Sequence, residues 1–254
     1  MTPFFQLDPR IESASAAALQ QVAPRFTEID EVTEYNQLKV LRAFMDNGIS
    51  ERHFGSSTGY GYADEGRETL DKVWAQVFGA EDALVRHNFT CGTHTLAVAL
   101  FGVLRPGDKM LCVSGMPYDT LHSVIGLTGE NMGSLKDYGI AFDCVPLKEE
   151  HLDYEAIAKA VDDTVTMVYI QRSRGYELRA SLSLEETQKV AEIAKEKNPN
   201  CIVMVDNCYC EFVNKQEPTQ VGADLIAGSL IKNAGGGMAR TGGYIAGRHD
   251  LVEK

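Results

Sequence analysis

Ser183-Leu184-Glu185-Glu186 opens, and Ile202-Val203-Met204-Val205-Asp206 closes, the stretch of chain from which the fold is read. Ser183 followed three residues later by Glu186 fits a capping box, and the spacing predicts a helix over 184–197. The apolar run at 201–205 is far too short to cross a bilayer and reads as a buried strand. It ends on a carboxylate, Asp206. Outward from this pair the same alternation continues. Further apolar runs sit at 83–85, 109–113, 141–145, 165–170, 224–227 and 243–246. Helical stretches fill gaps near 93–103, 119–127 and 153–160, the last with Asp153 as its N-cap. Strand–helix alternation of this kind predicts an α/β fold, a mainly parallel sheet with helices on both faces. Its ligands are expected beyond the carboxyl ends of the strands.

Before this region, residues 11–47 read as helical, with Pro24 breaking them into two segments. Residues 48–66 are rich in Gly and Ser and read as a loop, and 67–78 return to a helix with Leu70, Val73, Trp74 and Val77 on one face. The chain therefore divides into an N-terminal helical segment, 1–47, and an α/β unit, 48–254. The final residues, Arg248 to Lys254, read as the first turns of another helix.

Composition narrows the function classes. A formal net charge of -12 and a pI near 5.0 argue against nucleic acid or an anionic membrane as partner. The opening, Met1-Thr2-Pro3-Phe4-Phe5-Gln6, has no basic region leading into an apolar run, so no signal peptide is expected. The six cysteines form no disulfide framework and read as reduced thiols, which points to the cytoplasm. Cys201, Cys208 and Cys210 lack the second Cys/His pair that a zinc site would need, so no metal is expected.

Four motifs carry candidate chemistry. In Ser229-Leu230-Ile231-Lys232-Asn233-Ala234-Gly235-Gly236-Gly237, a lysine follows a strand and precedes glycines. A lysine at a strand end is ordinarily a surface residue. The functional alternative is imine formation, which needs an amine whose pKa is lowered by burial or positive neighbours. Asp206 is either a turn aspartate or a partner for a protonated ring nitrogen. It lies 26 residues before Lys232, so two neighbouring strands would aim both at one ligand. Thr90-Cys91-Gly92-Thr93 opens a helix whose free N–H groups suit a phosphate. Tyr118, after the strand at 109–113, is either an ordinary loop tyrosine or a platform for a flat aromatic cofactor.

Together these residues resemble the fold-type I pyridoxal-phosphate enzymes of the cysteine and methionine metabolism group. The nearest branch is that of the aluminium-resistance or methionine γ-lyase family proteins. The motifs behind the resemblance are Val205-Asp206-Asn207-Cys208-Tyr209, Val221-Gly222-Ala223-Asp224-Leu225, Ser229-Leu230-Ile231-Lys232-Asn233 and Thr241-Gly242-Gly243-Tyr244-Ile245-Ala246-Gly247. Arg105-Pro106-Gly107-Asp108 and Gln171-Arg172-Ser173-Arg174-Gly175-Tyr176 add to them.

The resemblance implies the large domain of an aminotransferase-like enzyme, without the small C-terminal domain that carries the arginine for the substrate carboxylate. It implies pyridoxal 5'-phosphate bound to Lys232 as an imine, with Lys232 later moving the α-proton. Asp206 would pair with the ring nitrogen. Gly92, Thr93 and Ser229 would hold the phosphate. Tyr118 would stack on the ring and act as an acid or base. Tyr62, or in second place Tyr60, would reach the phosphate of a neighbouring subunit, implying a homodimer or homotetramer. The implied reaction is β- or γ-elimination on a methionine- or cystathionine-like amino acid. The alternatives are another reaction of the same cofactor, such as transamination, or a non-catalytic cofactor-binding fragment. Several positions depart from the family pattern. Asp64 stands where the relatives place an arginine after the tyrosine, with Arg67 as a substitute only on loop rearrangement, and Ile231, Ala234 and Cys210 also differ.

Overall fold

A computed structural model of the chain describes residues 6–129 and 133–254. The opening Met1–Phe5, part of the stretch read for a signal peptide, lies outside the described residues. Among the described residues the helices are α1 Pro9–Asp46, α2 Glu65–Phe78, α3 Gly92–Val103, α4 Asp119–Ile125, α5 Tyr154–Ala160, α6 Leu184–Lys197 and α7 His249–Val252. The strands are β1 Asp82–Arg86, β2 Lys109–Cys112, β3 Ala141–Cys144, β4 Met167–Gln171, β5 Ile202–Asp206, β6 Leu225–Ser229 and β7 Gly243–Gly247. Each apolar run forms a strand, with ends shifted by at most two residues.

Ser183 and Glu186 make both bonds of the capping box. The Ser183 Oγ accepts from the Glu186 N–H at 3.1 Å, and the Glu186 carboxylate accepts from the Ser183 N–H at 2.8 Å. Asp153 caps α5 by accepting from the Ala156 N–H at 3.0 Å.

The strands form one sheet in the order β1-β7-β6-β5-β4-β2-β3. β7 runs antiparallel to both its neighbours, and the remaining pairs are parallel. β1 therefore points the same way as β2 to β6, so the turn into α3 opens at the same edge where β2, β4, β5 and β6 end. The sheet separates two apolar layers, as the period-2 alternation of strands requires. Val203, Val205, Ile226 and Tyr244 pack with α2, α5 and α6 on one face. Met204, Tyr169, Leu225 and Ala227 pack with α3 and α4 on the other. Burial at β4 and β5 is complete on both faces, which is why these strands read as continuous apolar runs.

Two sequence expectations need correction. Pro24 does not divide the first segment, since α1 continues through it for 38 residues. Proline deletes one backbone donor, but the freed carbonyl of Gln20 belongs to an exposed stretch where water can serve it. Leu70 does not join the buried face of α2. It is 39% exposed, whereas Val73 and Val77 are buried.

Candidate active site

At the shared edge of β2, β4, β5 and β6 lies a cavity of about 460 Å³. Asp206 ends β5 and alternates onto the α3 side of the sheet with Met204, so its carboxylate enters the cavity, 5% exposed. β6 is hydrogen-bonded to β5, and its continuation brings Lys232 into the same space. The Lys232 ammonium sits over the Tyr209 ring, 4.0 Å from its centroid. Tyr209 holds a positive φ of 68°, and Asn233 Nδ2 donates to its carbonyl at 2.9 Å, tying the turn after β5 to the turn after β6. The same Nδ2 also donates to the Glu211 carbonyl at 3.2 Å.

The start of α3 forms another wall. Cys91 occupies the N-cap without a side-chain cap, so the first N–H groups of the helix are left for a ligand. Gly92 packs closely, since a Cβ there would stand 3.3 Å from Ser229 Cβ and 3.5 Å from Cys208 Sγ. Thr93 Oγ1 and Thr120 Oγ1 are hydrogen-bonded at 2.7 Å, joining α3 to α4. Ser229 is fully buried under this corner, where its Oγ accepts from the Ile231 N–H at 3.3 Å. Tyr118 lines the cavity, positioned by its N–H donating to Gln171 Oε1 at 2.7 Å.

The electrostatics differ from the sequence expectation at one residue. Burial raises the Asp206 pKa, opposed by the Cys208 N–H bond at 3.0 Å and by Lys232. For Lys232, burial lowers the pKa, but Cys208, Tyr209 and Asp206 together outweigh it, and the net direction is upward. A lowered amine pKa was expected. The three neighbours that can carry negative charge reverse it. Tyr118 is also shifted upward, chiefly by its hydrogen bond with Tyr176.

Behind the cavity runs a buried polar network. Asn207 accepts from Arg172 Nη1 at 2.9 Å and donates to Glu217 Oε2 at 3.1 Å. Tyr244 Oη donates to Glu211 Oε1 at 2.9 Å, and Glu211 Oε2 is buried without a hydrogen-bond partner. Burial pushes the Glu211 carboxyl up to about 8. From α1, Asn36 Nδ2 donates to the Phe212 and Asn214 carbonyls, both at 3.0 Å, and so clamps the same turn.

Of the residues singled out in the sequence, Lys232, Asp206, Gly92, Thr93 and Tyr118 line the cavity, and Ser229 lies directly beneath it. Tyr60 and Tyr62 do not. They stand 82% and 87% exposed on the loop before α2. Arg67 is engaged with Asp64, at 3.5 Å, and does not line the cavity. The sequence reading passed over Tyr169, Arg174, Tyr176, Cys208, Tyr209 and Thr120 as individual site residues, although all line the cavity. Tyr209 lies three residues beyond Asp206, and its positive φ is invisible in sequence. The donor set fits pyridoxal phosphate, with an amine, a carboxylate and an uncapped helix start around one space. The Tyr169 hydroxyl also lines it, buried without a partner.

Residues 11–254 match the sequence profile of the methionine gamma-lyase family. The chain is 50% identical over 228 residues to the uncharacterised protein YnbB of Bacillus subtilis, covering 89% of this chain and 54% of YnbB. It is 25% identical over 203 residues to the L-methionine gamma-lyase of Pseudomonas putida, covering 79% of this chain and 46% of that enzyme. Among solved structures it superposes on a carbon-sulfur lyase involved in aluminum resistance from Clostridium novyi with a TM-score of 0.93 and 50% identity. That match covers 97% of this chain and 59% of the Clostridium protein, so the chain spans about half the length of these relatives.

Proposed function

Because the chain belongs to the methionine gamma-lyase family, we propose that it forms the cofactor-carrying part of a pyridoxal-phosphate lyase. Its reaction is β- or γ-elimination on a sulfur amino acid of the methionine or cystathionine kind. The observation that carries this reading is the convergence of Lys232, Asp206 and the uncapped start of α3 on one cavity. When bound, pyridoxal phosphate supplies an electron sink for the charge left at the substrate α-carbon.

The remaining work falls to the chain's own residues. Lys232 bears the amine that holds the cofactor and, once released, moves the α-proton at its Nζ. Asp206 pairs with the ring nitrogen. Burial raises its pKa, while the Cys208 N–H and Lys232 act in the opposite direction and favour the carboxylate. A cation on the ring nitrogen would offset the Asp206 charge and remove one of the influences that raise the Lys232 pKa. The N–H groups of Gly92 and Thr93 and the Ser229 hydroxyl hold the phosphate, while Tyr118 flanks the ring. Tyr62, with Tyr60 as second choice, extends from the surface toward a neighbouring subunit's phosphate in a homodimer or homotetramer. No described helix is long and apolar enough to cross a membrane, and the free cysteines fit a cytoplasmic setting.

The test is cofactor titration of the wild type and of Lys232→Ala. The wild type is expected to develop the visible absorbance of a lysine-linked cofactor, and the variant is not. A wild type without that band refutes the assignment. Release of ammonia and a 2-oxo acid without an added amino acceptor separates elimination from transamination.

A further inference from the structure

We infer that Arg174 binds a carboxylate of the substrate, an assignment that rests on the lyase reading and extends it to the substrate side of the cavity. Among the described residues, three charged side chains line that cavity: Asp206, Lys232 and Arg174. The first two face the cofactor in the proposed function. Arg174 is the remaining charge, and among the described residues its side chain has no ion pair and no hydrogen bond.

Its loop shows that this freedom is local. Arg172 and Arg179, on either side of it, are both buried and both committed to the fold. Arg172 donates to Asn207 Oδ1 at 2.9 Å. Arg179 fills the inside of the loop, donating to the Ser173 carbonyl at 2.7 Å, the Ala180 carbonyl at 3.0 Å and Glu177 Oε2 at 2.8 Å. The backbone just before Arg174 is thereby fixed by a buried guanidinium.

The backbone just after it passes close to Tyr118. Gly175 has φ +59°, and a Cβ there would stand 3.2 Å from Tyr118 Cδ2. The next ring, Tyr176, lies 5.9 Å from that of Tyr118, centroid to centroid. Arg174 is thus presented to the cavity between a backbone held by Arg179 and a glycine lying close to Tyr118. A guanidinium matches a carboxylate with two parallel hydrogen bonds, and Arg174, exposed at the cavity, has its donors available for them. In a chain with a net charge of -12, an anionic substrate needs a local cation of this kind.

The experiment uses the full-length protein loaded with pyridoxal phosphate, comparing wild type, Arg174→Gln and Arg174→Lys. Binding is read from the change in cofactor absorbance on adding amines that carry no sulfur leaving group. Norleucine has only an α-carboxylate, 2-aminoadipate has a second carboxylate at the far end, and pentylamine has none. The expected result is that Arg174→Gln weakens at least one acid by about tenfold or more. Pentylamine binding and cofactor affinity should stay unchanged, and Arg174→Lys should recover part of the loss. Weakening of both acids assigns the contact to the α-carboxylate, and weakening of 2-aminoadipate alone assigns it to a distal one. Unchanged affinity for both acids overturns the inference. So does an equal loss for pentylamine, or a loss of affinity for the cofactor itself, which would move the anion to the phosphate. A wild type that never binds the cofactor defeats the lyase reading, an outcome separate from any difference between wild type and variant.

Discussion

Glu211→Gln should change the pH dependence of stability more than stability itself. Glu211 is buried behind the cavity, bonded through one carboxyl oxygen to Tyr244 and unpaired at the other. Burial lifts its pKa from the ordinary 4.5 to about 8. Between those values the folded protein binds a proton that the unfolded chain has released. Stability from this group is therefore full below the unfolded pKa and falls as pH rises toward the folded one. One pKa unit corresponds to about 1.4 kcal/mol, so the loss across the window is about 5 kcal/mol at most. Glutamine has nearly the same shape, keeps an acceptor for Tyr244 and carries no charge, but its amide leaves donors buried without partners, a cost of about 1–3 kcal/mol. The variant should therefore be less stable than wild type near pH 5 and as stable or more stable above pH 8. Denaturant midpoints of both proteins at pH 5, 6.5 and 8.5 measure this directly. The other buried carboxyls, Asp206 and Glu217, are common to both proteins and largely cancel in the difference. A gap between the midpoints that does not move with pH would show that Glu211 is ionised throughout, and the reasoning would fail.

Three further changes test the fold. Pro24→Ala should stabilise α1 by up to about 3 kcal/mol, read as a higher Tm, because it restores a donor in a continuous exposed helix. Ser183→Ala should cost about 1 kcal/mol in denaturant unfolding through loss of the capping box, with the cofactor absorbance retained. Gly228→Ala should destabilise by about 1–3 kcal/mol or more, since the new methyl would lie 2.6 Å from both Glu211 Oε1 and the Tyr244 ring; an unchanged midpoint would contradict the packing.

The α/β alternation, the seven strands and the caps at Asp153 and Ser183 were legible in the sequence, because periodicity and capping are set by residues close together in the chain. Asp206 and Lys232 were legible for a related reason. A polar residue at the end of a buried apolar strand in a parallel sheet must emerge at the carboxyl edge, where neighbouring strands converge. The tertiary structure decided what depends on neighbours distant in the chain. Pro24 remains helical because the carbonyl it leaves free belongs to an exposed stretch. The Lys232 pKa goes up rather than down because Cys208, Tyr209 and Asp206 surround it. Arg172, Arg174 and Arg179 look alike within one loop, yet two are buried in the fold and one faces the cavity. Their difference comes from burial and through-space pairing, which arise only when β4, β5 and the turns after them are packed together.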